Sequence, residues 1–319
     1  MKPPYTITEE ILNLVGSISE KLGEVKSARL TKPPAELRKR NRIKTIQASL
    51  NIEGNTLSVE QVTDLINNRR ILAPEKDILE VKNAINVYEM LHDFDLYSLQ
   101  SLLNAHKKLM SGLVKNAGQL RDTSVGIVKG DNISHIAPPS ERLQELMTNL
   151  FNYLKNDSAS LLIKSCVFHY EFEFIHPFLD GNGRIGRLWQ TLILKEHSPV
   201  FEFLPIETLI KEHQKEYYRA LEVSDKVGNS TSFIEFMLAI IDRSLENLLQ
   251  TQNIHSNKTD RIDIFRDIIG DNYFTRADYL RHNKEISSAT ASRDLRDATQ
   301  KGILEKIGNN RTTTYRFAR

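Results

Sequence analysis

Cysteine is nearly missing from this sequence of 319 residues, which contains a single one, Cys166. One cysteine excludes an intramolecular disulfide, and a sequence without disulfides fits a reducing compartment. Cys166 lies in an apolar run, so we interpret it as a small core residue rather than as a nucleophile.

Long hydrophobic runs are missing as well. No apolar stretch approaches the roughly 20 residues that a helix needs to cross a bilayer. The first ten residues, MKPPYTITEE, lack the apolar segment of a signal peptide. We therefore expect a cytoplasmic protein with no membrane partner.

Charge of one sign is not in excess either. The formal net charge is +2 at pH 7, which is too close to neutral to indicate a nucleic-acid or membrane partner for the whole molecule. Hydrophobic residues make up 40% and charged residues 26% of the sequence, the balance of an ordinary globular protein. The length favours two or three domains over one.

Helical periodicity dominates the residues that are present, and the expected fold class is mainly α. It predicts helices over residues 7–22, 35–52, 76–92, 98–111, 139–155, 157–175, 185–196, 206–222 and 231–250. Ser58 and Gln61 have the spacing of a capping box. Residues 118–137 break the pattern, with apolar residues on both sides of Gly130-Asp131-Asn132, and predict a short β-hairpin.

The character of the sequence changes near its C-terminus. Residues 251–259 are polar and lack periodicity, which predicts a linker. Short helical patterns and two strand-like runs follow, at 261–269, 275–282, 288–301, 303–307 and 312–317. Three small helices and a hairpin predict a winged helix-turn-helix over residues 260–319.

The most informative segment is HPFLDGNGRIGR, residues 176–187. Pro177 ends the helix before it, because the residue preceding a proline leaves the α region. Gly181 and Gly183 allow tight turns and a close approach of the backbone to a ligand. Another helical pattern follows directly. A glycine-containing loop at a helix N-terminus offers free amides to a phosphate group.

Side chains in the same segment add the remaining parts of a transfer site. Arg184 and Arg187 are forked donors that suit phosphate oxygens. Asp180 is a hard oxygen ligand for Mg²⁺, and His176 can act as a general base near neutral pH. Each alone would be an ordinary loop, turn or helix-surface residue. Together, in order, they predict a site that transfers a nucleotide phosphate.

These twelve residues resemble the defining motif of the Fic family, HPFx[D/E]GNGRxxR, at every fixed position. The resemblance covers roughly residues 30–250. It implies a helical core with a short β-hairpin flap and with the active loop between two central helices. The chain would then comprise an N-terminal helical region (1–95), a catalytic core (96–250), the linker, and the small domain at 260–319.

The resemblance implies a protein adenylyltransferase, which moves AMP from ATP to a Ser, Thr or Tyr hydroxyl of a protein and uses Mg²⁺. His176 would deprotonate the hydroxyl, and Asp180 would hold the metal. The remaining roles are an anion hole made by Gly181, Asn182 and Gly183, and outer-phosphate contacts made by Arg184 and Arg187. Relatives that act as protein kinases carry lysine at the position of Gly183, so glycine there favours AMP transfer.

Two further segments look like parts of the same family. The hairpin would pair its edge, through Val125, Gly126, Ile127 and Val128, with an extended segment of the target protein. The alternative is an ordinary packed hairpin. Tyr218 resembles a residue near the adenine and would stack on the base, unless it is a core tyrosine.

Residues 49–55, SLNIEGN, fit the inhibitory pattern [S/T]xxxE[G/N] of the class whose inhibitory helix, about 35–54 here, precedes the core. Ser49 and Glu53 are four residues apart and share one helix face, and Gly54 can end the helix. The resemblance implies that Glu53 reaches Arg187 and takes the place of the ATP γ-phosphate. The alternative is a glutamate on a solvated helix end.

Other functions stay open at this stage. The same site could remove AMP from a modified protein, or the chain could be a DNA-binding regulator that senses nucleotide, although sensing would not require His176. Residues 260–319 hold twelve Lys or Arg against nine Asp or Glu, which is mildly basic and also fits a protein-contact module. The candidate DNA contacts are Ser288, Thr290, Arg293, Arg296, Asn310, Arg311 and Arg316. The expected partners are a target protein, the chain itself by self-modification, a second copy in a homodimer, and DNA through the small domain.

Overall fold

The computed structural model of the protein describes residues 2–28, 30–129, 132–254, 258–270, 272–283, 286–308 and 313–318. The chain divides into two compact units, Met1–Leu248 and Leu249–Arg319. The larger unit is mainly helical, as the periodicity predicted.

The larger unit contains helices over most of its length. Its described helices are α1 (Glu9–Ser27), α2 (Ala35–Ile52), α3 (Val59–Ile66), α4 (Glu75–Glu89), α5 (Leu99–Leu109), α6 (Leu143–Asn156), α7 (Leu161–Ile175), α8 (Asn182–His197), α9 (Ile206–Glu212), α10 (Gln214–Val227) and α11 (Thr231–Ile254), the last of which runs on past Leu248. Short 3₁₀ helices cover Leu91–Asp93, Ser140–Arg142 and Pro199–Phe203. None of the helices in the described part of the chain combines the length and the hydropathy needed to cross a bilayer.

The centre of this unit is the pair α7 and α8, which pack against each other along their lengths. α7 is apolar around most of its circumference, and such a helix belongs in a core. α6 covers α7, and α2 contacts α8. Cys166 on α7 is fully buried, and burial raises the pKa of its thiol to about 12. The interpretation of Cys166 as an inert core residue is therefore confirmed.

The inhibitory-helix segment is α2, whose bounds coincide with the predicted helix at 35–52. α2 packs against α3, α4 and α9. Ser58 caps α3 as predicted: its Oγ accepts a hydrogen bond from Gln61 N–H, and the side chain of Gln61 accepts one from Ser58 N–H. α2 is thus held on several sides, with its C-terminal end next to α8.

Several predicted helix bounds were wrong. Residues 206–222 form two helices with a break at His213, where no glycine or proline marks the break. α6 and α7 begin at Leu143 and Leu161, later than predicted, because a 3₁₀ turn and a capping turn at Ser160 precede them. α11 continues to Ile254, into the predicted linker. The segment 251–254 lacks glycine and proline, so nothing local stops the helix.

The predicted hairpin is present as strands β1 (Gly126–Lys129) and β2 (Asn132–Ile136). They pair antiparallel, Gly126 with Ile136 and Lys129 with Asn132, with an irregularity after Ile127. Gly130 and Asp131, which were predicted to form the turn, lie outside the described residues. β1 and β2 form a two-stranded sheet of their own.

The smaller unit has the predicted order of elements. They are α12 (Lys258–Ile269), α13 (Arg276–His282), α14 (Ser288–Gln300), β3 (Leu304–Ile307) and β4 (Thr314–Phe317), and β3 pairs antiparallel with β4. Phe265, Phe274 and Leu295 belong to its separate core. Asn310 and Arg311, two of the expected DNA contacts, lie outside the described residues. The winged-helix assignment itself stays a prediction.

Candidate active site

Residues 176–183, which comprise the loop between α7 and α8 and the first two residues of α8, carry most of the sequence motif and are named here the phosphate loop. His176 caps α7 in the left-handed region, with φ 49° and ψ 61°. Asn182 starts α8, and its side chain accepts a hydrogen bond from Phe178 N–H (2.9 Å) and donates one to Phe178 C=O (2.8 Å). The Asn182 side chain therefore closes the loop, so Asn182 offers its backbone rather than its amide to a ligand. Phe178 is fully buried and anchors the loop in the core.

Both glycines of the loop are needed where they stand. Gly181 has φ 88°, and a Cβ there would lie 2.8 Å from Met110 Sδ. Gly183 has no unusual φ, but a Cβ there would lie 2.3 Å from Glu53 Oε1. A residue with a side chain would strain the backbone at 181 and would displace the Glu53 carboxylate at 183.

A cavity of about 270 Å³, named here the loop cavity, opens above the phosphate loop. Its lining residues are Glu53, Glu173, Phe174, His176, Leu179, Asp180, Gly181, Asn182, Gly183, Arg187, Tyr217, Tyr218, Leu221, Glu222 and Asp225. One end is the N-terminus of α8, whose first N–H groups have no partner within the helix. Free amides and the positive end of the helix dipole make that end an anion site.

Arg187 lies at this end and is already engaged by α2. Its Nη2 donates to Glu53 Oε1 at 2.7 Å and to the Ser49 carbonyl at 2.9 Å, and its Nε donates to Ser49 Oγ at 3.1 Å. The Arg187 side chain is 1% exposed and that of Glu53 is 32% exposed. Burial alone would lower the pKa of Arg187, but the Glu53 charge helps to outweigh it and the pKa is raised. The expected contact between Glu53 and Arg187 is therefore present.

Arg184 has a different environment from Arg187. Its Nη2 donates to Asp180 Oδ1 at 2.7 Å and its Nη1 to Glu80 Oε1 at 3.0 Å. The residue is 5% exposed and is not part of the cavity lining. The structure thus places His176, Asp180, the loop glycines and Arg187 around one cavity. Arg184 is not among the lining residues and is bound between the carboxylates of Asp180 and Glu80.

His106 on α5 contacts the phosphate loop and helps to hold it in place. Its Nδ1 accepts a hydrogen bond from Gly118 N–H at 2.8 Å, so the ring proton is on Nε2, which lies 2.9 Å from the Asp180 carbonyl oxygen. The ring stacks on Phe178 with 3.6 Å between centroids. Burial lowers the pKa of His106, and the neutral ring matches this pair of bonds.

The lining of the loop cavity also includes aromatic and acidic side chains. Tyr218, Phe174 and Leu221 are among the lining residues, and the stacking of Tyr218 on an adenine base stays a prediction. Tyr217 is nearly fully buried, and its hydroxyl lies 3.1 Å from His169 Nε2. Burial, followed by the charge of Arg187, lowers the pKa of His169 to about 3. A neutral His169 accepts a hydrogen bond from the Tyr217 hydroxyl, which fixes the ring of Tyr217 next to that of Tyr218.

Comparison with known proteins identifies the family. The chain matches the family model described as the Fic/DOC family over residues 96–194. It is similar to the crystal structure of a Fic family protein from Desulfovibrio desulfuricans G20, at 40% identity, a TM-score of 0.78, and coverage of 100% of this chain and 98% of that one. The chain belongs to the Fic family.

Curated Fic relatives are more distant. The chain is 26% identical over 220 residues to "Protein adenylyltransferase fic-1" of Caenorhabditis elegans, covering 65% of this chain and 41% of that protein. It is 27% identical over 216 residues to "Protein adenylyltransferase Fic" of Culex quinquefasciatus, covering 64% and 41%. The chain therefore spans about two fifths of the length of the curated relatives it matches.

The residues of this site fit a magnesium ion that is bound together with substrate phosphates. Asp180 lines the loop cavity with its side chain half exposed. Within the described residues no group of three His, Cys, Asp or Glu side chains converges on one point. Mg²⁺ is commonly held by one or two carboxylates plus substrate phosphates and water, so a single carboxylate beside the anion end of the cavity is a sufficient protein contribution.

Two residues of this Fic site were missed from the sequence, Glu80 and His106. Both leave a signal in the sequence that could have identified them. Glu80 stands in line with buried Ala84 and Val87 on α4, and His106 stands between buried Leu102 and Leu109 on α5. A charged or polar side chain within the apolar stripe of a helix must find a buried partner, here Arg184 and the phosphate loop.

Proposed function

We propose that this chain transfers AMP from ATP to a hydroxyl group of a protein, and that Glu53 restrains the transfer. One observation carries the proposal: a carboxylate of the same chain sits on the buried Arg187, inside the cavity that His176 and the N-terminus of α8 also line. An anion site beside a candidate base is the arrangement that phosphate-transfer chemistry requires. Relatives named protein adenylyltransferases support the same reaction.

The proposed reaction gives each of these side chains a role. His176 would take the proton of the target hydroxyl, whose oxygen attacks the α-phosphorus of ATP. The bond from that phosphorus to the bridging oxygen breaks, and diphosphate leaves. The amides of residues 181–183 would stabilise negative charge on the phosphates, and Arg187 would hold the outer ones. Asp180 would hold Mg²⁺, which supplies further charge neutralisation when bound.

The target segment is proposed to pair with the β1–β2 hairpin. A two-stranded sheet has open edges, and an extended peptide can add to such an edge by main-chain hydrogen bonds. The candidate edge is the run Val125 to Val128. Tyr218, which also lines the loop cavity, is proposed to stack on the adenine. A cytoplasmic location and a homodimer remain proposals from the sequence and the resemblance.

A second candidate reaction, removal of AMP from a modified protein, is favoured by one feature. Glu53 is one-third exposed and lines the same cavity as His176. A carboxylate there can orient a water molecule toward a phosphate ester. Loss of Glu53 should then abolish removal while it increases transfer, which separates the two activities in one variant.

The proposal is tested with ATP labelled at the α-phosphate, incubated with the chain and a cell lysate. Glu53→Gly should label lysate proteins, and Glu53→Gly combined with His176→Ala should not, although it still binds ATP. ATP labelled at the γ-phosphate is the matched control and should leave no label beyond that which the kinases of the lysate add without the chain, because AMP transfer releases diphosphate. Transfer of the γ label, or undiminished labelling without His176, would exclude the proposed reaction.

A further inference from the structure

The side chain of Arg121 is buried between the end of α7 and the base of the β1–β2 hairpin. It is 4% exposed and bonds to four backbone carbonyl oxygens. Nε donates to His176 O (2.8 Å), Nη1 to Thr123 O (2.7 Å), and Nη2 to Pro138 O (2.6 Å) and Ile175 O (3.2 Å). Its own N–H donates to Pro177 O at 2.9 Å. One residue therefore holds three successive carbonyls around the candidate base.

The C-terminal end of α7 needs such a partner. The last carbonyls of a helix have no donors within the helix, and Arg121 supplies donors to those of Ile175 and His176. His176 is also held at positive φ, a conformation that residues other than glycine adopt only under constraint. A cation at a helix C-terminus is favoured by the helix dipole. Arg121 thus fixes the backbone from which the imidazole of His176 projects.

The same guanidinium ties both ends of the hairpin. Thr123 precedes β1, and Pro138 follows β2, so their carbonyls mark the two stems. A backbone bond from Ala137 N–H to Val125 O closes the hairpin just above them. The hairpin stems and His176 are therefore positioned by one rigid planar group.

Only arginine has the geometry for this position. Its guanidinium presents five N–H donors in a fixed plane, whereas lysine has three donors at one point on a flexible stem. Four carbonyls on two sides of the group cannot be reached from one ammonium. Burial lowers the pKa of Arg121, and Glu141 partly offsets this effect. The group stays charged at neutral pH because the ordinary pKa of arginine is so high.

We propose that Arg121 is a positioning residue for the transfer reaction, which fixes the base His176 relative to the hairpin that presents the target. The inference rests on the proposed function, since it assigns His176 as the base and the hairpin as the docking edge. Arg121 touches neither the amides of residues 181–183 nor Arg187, so it acts on alignment and not on ATP binding. Misalignment by about 1 Å can lower a rate about a hundredfold.

The test uses the full chain carrying Glu53→Gly, with Arg121→Lys added. The rate of self-labelling and of lysate labelling from α-labelled ATP should fall by about a hundredfold at saturating ATP. The ATP concentration at half-maximal rate should not change. Arg261→Lys is the matched control: Arg261 is also largely buried and donates twice to Asp294, but it belongs to the smaller unit, and its loss should leave labelling unchanged.

Hydrogen exchange supplies a readout that does not depend on activity. In Arg121→Lys the amides of residues 122–125 and 176–178 should exchange faster, while those of α7 should not. If the lysine variant does not fold, Arg121→Ala is used instead. Added methylguanidinium should then restore part of the labelling rate that Arg121→Ala has lost. Unchanged labelling and exchange in Arg121→Lys would overturn the inference, as would parallel losses of rate, ATP affinity and melting temperature. A Glu53→Gly parent that labels nothing would instead refute the proposed function, and exchange alone would then decide on Arg121.

Discussion

The Glu53 carboxylate lies 2.7 Å from Arg187 Nη2, and it also fills the space in which a side chain at Gly183 would stand. Glu53 thus contacts a motif arginine and the motif backbone at the same time. Because it belongs to the same chain, its effective concentration at Arg187 is high. If the outer phosphates of ATP bind at Arg187 as proposed, they must displace this carboxylate.

The first prediction follows from that competition. Glu53→Gly should raise AMP transfer by up to about a hundredfold, because the outer phosphates can then reach Arg187 and align the α-phosphate. Arg187→Ala should stay at a low rate, since it frees Glu53 but deletes the phosphate ligand. Mass spectrometry of AMP adducts on the purified variants measures the effect.

The double variant is the decisive control. Adding Arg187→Ala to Glu53→Gly should cancel the gain, a non-additivity expected of two groups that act on one ligand. Equal labelling of wild type and Glu53→Gly would show that α2 does not inhibit this protein. Additive effects would show that Glu53 acts elsewhere than on Arg187.

The second prediction concerns the buried Glu80. Its Oε1 accepts from Arg184, and its Oε2 accepts from Asn55 Nδ2 at 2.8 Å, just beyond the end of α2. Glu80→Ala leaves Arg184 with Asp180 alone and should lower the free energy of unfolding by about 3–5 kcal/mol, as loss of one partner of a buried ion pair does. Glu80→Gln keeps an acceptor and should lose less.

Chemical denaturation of the full chain, followed by tryptophan fluorescence, measures this loss, because Trp189 is buried in the core of the larger unit. Glu24→Gln on α1 is the control, since Glu24 is exposed. A Glu80→Ala variant as stable as Glu24→Gln would mean that the Arg184 contact contributes nothing to the fold.

Much of the site was predictable because its parts are close in sequence. The spacing of Ser49 and Glu53 placed both on one helix face, and the order of residues 176–187 gave the loop between two helices. Glu80, by contrast, meets Arg184 across 104 residues, and no local pattern names that partner. The break at His213 was hidden because the helical periodicity continues through it, and the extension of α11 was hidden because residues 251–254 are polar and lack that periodicity. Packing against other elements, rather than propensity, decides such details.

The third prediction concerns the metal. Asp180→Ala in the Glu53→Gly chain should reduce transfer severely, because no other carboxylate belongs to the phosphate loop. Asp180→Asn is the matched variant, since its amide oxygen can still accept from Gly181 N–H and Arg184 but carries no charge. Both should show a weaker dependence of rate on Mg²⁺ concentration. Full activity of the parent in excess EDTA would rule out the role of Asp180.

The fourth prediction concerns DNA. Arg293 and Arg296 are exposed on α14, whereas Arg316 bonds to Glu305 and Arg261 to Asp294. If the smaller unit binds duplex DNA through these arginines, the full chain should bind it detectably at low salt. Its affinity should fall with salt at a logarithmic slope of about 0.9 per phosphate contact. Removing Arg293 and Arg296 together should reduce that slope by about two.

Fluorescence anisotropy with labelled duplex DNA over a salt series gives both quantities. Lys195→Ala is the control, because it removes a positive charge from the larger unit. It should leave the slope of affinity against salt unchanged. Absence of binding by the full chain at low salt would leave a protein-contact role for the smaller unit.

The last prediction is a pH dependence of stability that originates at Glu171 on α7. Burial, followed by the charge of Asp225, raises the pKa of Glu171 from 4.5 to about 7. Between these two pH values the unfolded chain has lost a proton that the folded protein keeps. The free energy of unfolding therefore falls as pH rises through this window and levels off above it.

Glu171→Gln removes this titration and leaves a neutral side chain of the same shape. It should stabilise the protein by about 3 kcal/mol at pH 8, since one pKa unit corresponds to about 1.4 kcal/mol, and by almost nothing at pH 4. Glu207, whose pKa burial also raises to about 7, acts with the same sign, so the comparison must be between variant and wild type at each pH. Denaturation midpoints at pH 4, 6 and 8 give the difference. A gain that is equal at all three values would mean that Glu171→Gln acts by packing, and that folding does not change the pKa of Glu171.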